Sequence, residues 1–209
     1  MSKKAVLCLS GIATILLILY LAYEAESYGY HTIATFFDVY INRTQKYLFN
    51  GSLYGVPLIY GLSRPFMAPE YRIRIKTNIA YKLIIKSICD AMIMGAWIIL
   101  LFVLTSVLMK FKIEAGWFLI TIYIRLVILY AQCGGVYYLI YAVVDSEIVA
   151  ACGTMGMNLC ALMAILLYDF MAEPLYDISL NLFLLYICIS CLCAYVSLVY
   201  VVRYRRRNI

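Results

Sequence analysis

Long runs of apolar residues alternate with short polar connections along the chain. A helix needs about 20 apolar residues to cross roughly 30 Å of hydrocarbon, and the runs cover about residues 5–23, 48–62, 87–109, 117–144, 148–168 and 178–202. The pattern predicts an all-α integral membrane protein. We expect a polytopic bundle of about six transmembrane helices in a single domain, residues 1–209.

The first two runs each have an alternative interpretation. Run 5–23 follows Lys3 and Lys4, as the apolar part of a signal peptide would. Its length, and the acidic stretch 24–26 that follows in place of a cleavage site, favour a retained span. Run 48–62 is short for a span unless the span begins earlier, near residues 32–40, and it decides whether the count is five or six.

The composition indicates that lipid is the main solvent of this protein. Hydrophobic residues make up 66% of the chain and charged residues 13%, and the mean hydropathy is +0.92. Soluble domains are about half apolar and a quarter charged. A water-soluble fold is therefore excluded.

Basic residues fall in three clusters, and an arrangement of six spans puts all three on one side. The clusters are Lys3 with Lys4, the segment 64–86, and the terminal run 203–207. Because cytoplasmic loops carry an excess of Lys and Arg, we expect both termini in the cytoplasm of a multi-pass cell-membrane protein. The terminal run directly follows a span, so it indicates a stop-transfer anchor and no nucleic-acid partner.

The segment 64–86 is the most informative connection. Two prolines end the incoming helix, and a mixed basic and aliphatic stretch follows. This stretch is either a docking element for a cytoplasmic partner or an anchor attracted to anionic headgroups. The candidate docking residues are Arg72, Arg74, Lys76, Tyr81 and Lys82.

The layout resembles the membrane subunit of a type-2 ABC exporter. More narrowly, the stretch LYGVPLIY at residues 53–60, Arg72-Ile73-Arg74 and Tyr81-Lys82 are similar to small six-span permeases of Firmicute peptide or bacteriocin-type systems. The resemblance implies a cytoplasmic ABC ATPase that docks on residues 64–86 and binds ATP and Mg. It also implies a homodimer or heterodimer of permeases, and export of a peptide or another amphipathic substrate. No clear pair of re-entrant half-helices precedes the last span, which is a departure from some relatives.

The chain carries no motif of its own for catalysis or for a cofactor. It lacks a phosphate-binding Gly-x-x-x-x-Gly-Lys-Ser/Thr loop, so any ATP hydrolysis belongs to another chain. Cys188 and Cys191 form a Cys-x-x-Cys, but their apolar neighbours argue against a reactive thiol pair. His31 is the only histidine, which excludes a multi-histidine metal site. We therefore expect no enzyme activity, no metal and no cofactor in this chain.

Two charged residues lie inside predicted spans, where charge is costly and often functional. Arg125 lies in the fourth span and Asp90 near the cytoplasmic end of the third. Both are candidates for a transport path. Anchoring is the alternative, because Arg125 can extend to the exterior interface. Asp90 can reach the headgroup zone, or pair with Lys86 one turn back.

Small residues at fixed spacing predict close contacts between helices. The candidates are Gly51 and Gly55 in the second span, and Gly153 and Gly156 in the fifth. Their use is packing within the chain or a homodimer seam. Two adjacent glycines at 134–135 are expected to interrupt the fourth span.

The resemblance, together with these features, implies an ABC transporter permease subunit that forms the transmembrane path for export, energised by a separate ATPase. The competing hypothesis is a multi-span membrane protein that transports nothing, such as an immunity factor, a sensor or an assembly partner.

Overall fold

The structure is a computed structural model that describes residues 3–27, 29, 32, 55–62, 79–112, 116–171 and 176–207. Apart from short turns and one isolated β-bridge, these residues are helical. Within them lie six helices: α1 (Lys3–Ser27), α2 (Val56–Leu62), α3 (Ile79–Leu108), α4 (Gly116–Val144), α5 (Glu147–Met171) and α6 (Tyr176–Arg207).

Four of the described helices contain a segment long and apolar enough to cross a membrane. The apolar part of α1 is shorter, and α2 has only 7 residues. The fold is that of an all-α membrane protein. The four candidate spans are Ile79–Leu108, Gly116–Val144, Glu147–Ala164 and Leu185–Tyr204.

Helix α3 begins well before the predicted start of the third span at Ser87. Ala80 and Leu83 are buried, so the buried side of the helix extends to its first turn. Lys82 stays exposed on the other side. Tyr81, Lys82 and Lys86 therefore belong to the helix and not to the connection before it. Long basic side chains can reach water from such positions.

The predicted interruption of the fourth span at Gly134 and Gly135 is wrong. Helix α4 continues through both residues without a break. Glycine is tolerated in membrane helices because the intrahelical hydrogen bonds persist and the missing side chain lets a neighbour approach.

The second predicted span is described only in its last part. Helix α2 covers residues 56–62, and residues 48–54 lie outside the described part of the chain. Helix α2 packs against α1, and Gly55, just before it, lies against Tyr130 of α4.

Helix α4 is the centre of the bundle. It packs against α2, α3, α5 and α6, and every residue from Ala131 to Tyr138 is buried. Helix α1 packs on α2 and α3. The outward sides of α1, α3, α5 and α6 carry exposed large apolar side chains, as expected for surfaces that face lipid.

Two helix ends use residues in the left-handed conformation to close the chain into short turns. Lys110 has φ 56°, with hydrogen bonds from its N–H to Val107 O and from Phe111 N to Ser106 O. This is the Schellman arrangement that ends a helix. Asp145 has φ 59°, and its backbone N–H donates a hydrogen bond to the carbonyl oxygen of Tyr141 at the end of α4.

Ser146 then starts α5 as its N-cap. Its Oγ accepts a hydrogen bond from Val149 N at 3.4 Å, and its carbonyl accepts one from Ala150 N. The cap side chain satisfies an amide at the start of α5 that has no intrahelical partner. This lets α5 begin directly after the turn, and only residues 145–146 join α4 to α5.

One end of the bundle carries most of the basic residues of the described helices, and we call it the basic end; Lys110, Lys112 and Arg125 lie elsewhere. Short connections make α3, α4, α5 and α6 alternate in direction, so α3 begins and α6 finishes at this end. The bridge between Thr32 and Lys112 ties the chain after α1 to the turn after α3. Helix α1 therefore also begins at the basic end, so Lys4 lies at the same end of the bundle as Lys82 and Arg203.

Candidate functional site

An ion pair lies inside α3, two turns from its start. The Lys86 ammonium is 2.9 Å from Oδ1 and 2.8 Å from Oδ2 of Asp90. The two side chains are 19% and 9% exposed. The pairing expected from the four-residue spacing is therefore present. Because an unpaired buried charge is costly, Lys86 makes the burial of the Asp90 carboxylate tolerable at this depth.

Beside this ion pair, Ser87 and Tyr195 connect α3, α4 and α6. Their hydroxyl oxygens are 3.1 Å apart. Tyr195 donates to the carbonyl oxygen of Ala131 at 3.0 Å, and Ser87 Oγ is 3.4 Å from the same oxygen. One backbone carbonyl of α4 thus accepts contacts from two neighbouring helices.

Two adjacent glycines on α4 allow this close approach. A Cβ at Gly134 would overlap the Ser87 hydroxyl, and a Cβ at Gly135 would lie 3.0 Å from Cε1 of Tyr195. Alanine would fit neither position without displacing its neighbour. The glycine pair therefore sets how closely α3 and α6 contact α4.

A closed ring of hydrogen bonds joins α4 to α5 one residue further along. Gln132 Nε2 donates to Asn158 Oδ1 at 3.3 Å, Asn158 Nδ2 donates to Cys133 Sγ at 3.3 Å, and Cys133 Sγ donates to Gln132 Oε1 at 3.4 Å. Gln132 Nε2 also donates to Ser190 Oγ of α6 at 3.3 Å. Each ring member both donates and accepts, so three polar side chains are accommodated in an apolar interior.

These contacts form one level of the bundle, which we call the polar layer. It comprises Ser87, the Ala131 carbonyl, Gln132, Cys133, Asn158, Ser190 and Tyr195, and it links all four candidate spans. Hydrogen bonds between membrane helices are worth about 0.6 kcal/mol each, up to about 1.7. The layer holds the four helices in one register.

A cluster of tyrosines lies between the polar layer and the basic end. Tyr137 and Tyr138 meet edge to face, with ring centroids 5.2 Å apart, and Tyr137 and Tyr141 stack at 6.4 Å. Among the described residues, the buried Tyr138 hydroxyl has no hydrogen-bond partner. The cluster fills the bundle interior at this level with aromatic rings.

The predicted docking residues divide into two groups. Tyr81 and Lys82 are exposed in the first turn of α3. Arg72, Arg74 and Lys76 lie outside the described residues. The two members that can be described thus lie at the basic end.

The two candidates for a transport path lie at different levels. Asp90 is buried next to the polar layer, in the ion pair with Lys86. Arg125 is half-buried on α4, seven residues before Gln132. This corresponds to about 10 Å along the helix axis, away from the basic end.

The predicted packing glycines have different surroundings. At Gly55 a Cβ would lie 2.7 Å from Cε1 of Tyr130, and at Gly153 it would lie 2.9 Å from Cδ1 of Ile140. Gly156 has open space where its Cβ would be. Gly51 lies outside the described residues.

Six of the eight cysteines are exposed on the outer sides of the helices. All eight cysteines are free; Cys188 is exposed on the apolar surface of α6 and Cys191 is half-buried. Within the described ranges, no group of three or more His, Cys, Asp or Glu side chains could hold a metal ion.

Sequence reasoning missed most of the polar layer. Charged residues in the spans drew attention to Asp90 and Arg125, whereas the neutral amides of Gln132 and Asn158 went unremarked. An amide inside an apolar run is a usable signal, because it needs a partner in lipid. That signal would have marked Gln132 and Asn158 as side chains that need partners, although not which residues they contact.

Comparisons of the chain with protein-family models, with curated proteins and with solved structures gave no match.

Proposed function

We propose that this chain is a permease subunit of a two-component ABC exporter, with six spans and both termini in the cytoplasm of a cell membrane. A separate cytoplasmic ATPase supplies energy by docking on the basic segment before α3. The cargo is a peptide or another amphipathic molecule.

The position of the helix ends that flank the basic segment carries this proposal. Helix α2 finishes with Gly61 against Leu7, near the start of α1, and α3 begins at Ile79. Both ends lie at the basic end, together with Lys4. The segment 63–78, with Arg72, Arg74 and Lys76, therefore starts and finishes on the side predicted to be cytoplasmic.

The connection between this segment and the bundle supports a mechanical role. The segment continues directly into α3, and Ser87 of α3 contacts both α4 and α6. A push on the segment would thus be transmitted to the polar layer through a rigid helix. Helix displacements of this kind underlie many switching transitions.

The interior of the bundle favours a path between two copies of the chain. Residues 131–138 of α4 are all buried, and the polar atoms of the layer bond to one another. The interior at this level is filled by side chains. A substrate would therefore pass between two permeases, as the resemblance to exporters implies.

Co-purification with charge-reversed variants tests the proposal. The tagged chain should retain an ATPase in mild detergent, and Arg72→Glu, Arg74→Glu and Lys76→Glu combined should release it. The matched control reverses Lys110 and Lys112 at the opposite end of the bundle and should retain the ATPase. Undiminished ATPase recovery with the triple variant would refute the docking site.

The filled interior also favours a second candidate, a membrane protein that transports nothing, such as an immunity factor, a sensor or an assembly partner. That function requires no ATPase. Protection or signalling by the chain in cells from which every co-purifying ATPase has been deleted would select this alternative.

A further inference from the structure

Helix α6 carries a line of polar and aromatic side chains along its outer surface. The side of α6 that packs on α4 is different, since Ile187, Ala194 and Leu198 are buried there and Ala194 lies against Gly135. The outer line recurs at alternating spacings of four and three residues, and each of its members is at least partly exposed. We call it the α6 stripe, and it comprises Tyr186, Ser190, Cys193, Ser197, Tyr200 and Tyr204.

The spacing places the whole stripe on one side of the helix. At about 100° per residue, its members fall within an arc of roughly 80°, about a third of the circumference away from the packed side. Ser190 forms the edge nearest the bundle, because its Oγ accepts a hydrogen bond from Gln132 of α4. A repeat of seven residues is the spacing by which two helices pack side by side along their length.

The middle of the stripe lies at the depth of the hydrocarbon. Arg203 is exposed and marks the headgroup level at the basic end. Ser197, Cys193 and Ser190 precede it by about 9, 15 and 20 Å along the helix axis. Because the hydrocarbon is about 30 Å thick, these three side chains lie away from both headgroup layers.

Lipid matches the side of α6 next to the stripe better than it matches the stripe. Acyl chains offer no hydrogen-bond partner to a hydroxyl, whereas interfaces between membrane helices are enriched in small and hydroxyl-bearing residues. The stripe has the composition of such an interface. The adjoining outer side of α6 has the large aliphatic side chains that suit lipid, namely Leu185, Ile189, Leu192 and Val196.

The described helices leave the stripe uncovered. Helix α6 packs chiefly on α4 and α3, and Tyr200 and Tyr204 are 71% and 60% exposed. Cys193 and Ser197 are exposed as well. The stripe runs from Tyr186 to Tyr204, or about 27 Å along the axis, so an occupant that matches all of it has to span the membrane.

A second copy of the chain matches the stripe at every depth. Two copies inserted in the same direction pair about a two-fold axis, so each residue of the stripe meets its own counterpart. Serine hydroxyls both donate and accept hydrogen bonds, so two of them can bond to each other. Arg203 is turned about 100° from Tyr204, which keeps its positive charge out of such a contact.

We propose that the α6 stripe is the seam of a homodimer, in which α6 of one copy packs in parallel against α6 of a second copy. The seam goes beyond the proposed function, because it rests on α6 alone and applies equally to a chain that transports nothing. In a permease, it would place α6 at the boundary between the two copies.

Cross-linking in cell membranes tests the seam with the chain's own thiols. In the full-length chain, buried Cys133 is kept and every other cysteine except one is replaced by alanine. Copper phenanthroline should convert the chain with Cys193 into a disulfide dimer in at least about tenfold higher yield than the chain with Cys188, because a disulfide needs Cα atoms within about 7 Å. Cys188 is also exposed on α6, but it is turned about 140° from Cys193.

A second measurement does not depend on thiol reactivity. Two differently tagged copies of the chain should be recovered together in mild detergent. Ser197→Leu should weaken their association about three- to twentyfold, which is the range expected for one hydrogen bond between membrane helices. The matched control is Val196→Leu on the adjoining lipid side, and it should associate like the unmodified chain. Both residues are exposed, so both variants should keep their helical content by circular dichroism.

Equal dimer yields from Cys193 and Cys188, or equal association of the Ser197→Leu and Val196→Leu variants, would overturn the seam. A disulfide of Cys193 with a different protein in place of the dimer would assign the stripe to another membrane partner and overturn the second copy. Recovery of an ATPase is a separate readout, so failure of the seam and failure of ATPase docking can be told apart.

Discussion

The side-chain oxygens of Ser87 and Tyr195 lie 3.1 Å apart, although 108 positions separate the two residues in the chain. They meet over the glycines at 134 and 135, at the carbonyl of Ala131. Two hydroxyl groups, one backbone carbonyl and two glycines thus fix how three membrane helices pack. Each of these side chains can be substituted separately.

Replacing Gly134 with Ala should lower the free energy of unfolding by about 1–3 kcal/mol, because the new Cβ overlaps the Ser87 hydroxyl and forces α3 away from α4. The loss should be smaller in a Ser87→Ala background. Gly156→Ala is the control, since its Cβ meets open space. Unfolding in mixed detergent and SDS, followed by circular dichroism, measures the change. An equal loss with and without Ser87 would contradict the assigned contact.

Breaking the ring between α4 and α5 should also be costly. Asn158→Leu should lower the free energy of unfolding by about 1–2 kcal/mol, because it leaves the buried amide of Gln132 with one partner fewer. The combined Gln132→Leu and Asn158→Leu variant should lose less than the sum of the two, by about 0.6–1.7 kcal/mol. Cys160→Leu, on the exposed surface of α5, serves as the control. Strict additivity in this double-mutant cycle would show that the two amides do not interact.

Substitutions of Lys86 and Asp90, the ion pair in α3, should have effects on stability that depend strongly on each other. Asp90→Asn should lower the free energy of unfolding by about 2 kcal/mol, because it replaces the carboxylate that accepts both hydrogen bonds from Lys86 with a neutral amide that has one acceptor oxygen. The charge of the Lys86 ammonium then loses the carboxylate that it pairs with. Adding Lys86→Gln should recover part of that loss. Lys82 is exposed and lies one turn earlier, and Lys82→Gln should change the free energy of unfolding by less than about 0.5 kcal/mol. No recovery in the double variant would argue against the pair.

The turn after α3 offers a stabilising substitution. Lys110→Gly should raise the free energy of unfolding by about 1 kcal/mol, because glycine adopts φ 56° without the strain that a Cβ causes there. Lys112→Gly should bring no such gain, since the left-handed position is at 110. Thermal unfolding in detergent compares the two variants. A lower midpoint for Lys110→Gly would show that its side chain matters more than its backbone conformation.

Four of the six predicted spans coincide with candidate spans of the structure, because hydrophobic length is a local property. Runs 117–144 and 148–168 correspond to α4 and α5 to within three residues. The start of α3 could not be predicted from the sequence, because basic residues normally mark a connection between spans. Lys86 remains in the helix by pairing with Asp90, and Lys82 remains exposed. The glycines at 134 and 135 led to the wrong prediction of a break in the helix. Their role is to let Ser87 and Tyr195 approach α4.

From the residues alone it follows that this chain needs lipid around most of its surface, and that Lys86 and Asp90 are close enough along one helix to pair. Both follow from neighbours within a few residues, through helix length and helical spacing. The contact of Tyr195 with Ser87, and the ring that Asn158 closes with Gln132 and Cys133, emerge once the helices are packed together. Such contacts depend on how each helix is rotated and how far it is shifted against the next. Apolar faces alone do not fix the rotation or the shift of a helix, and the small set of polar side chains fixes both.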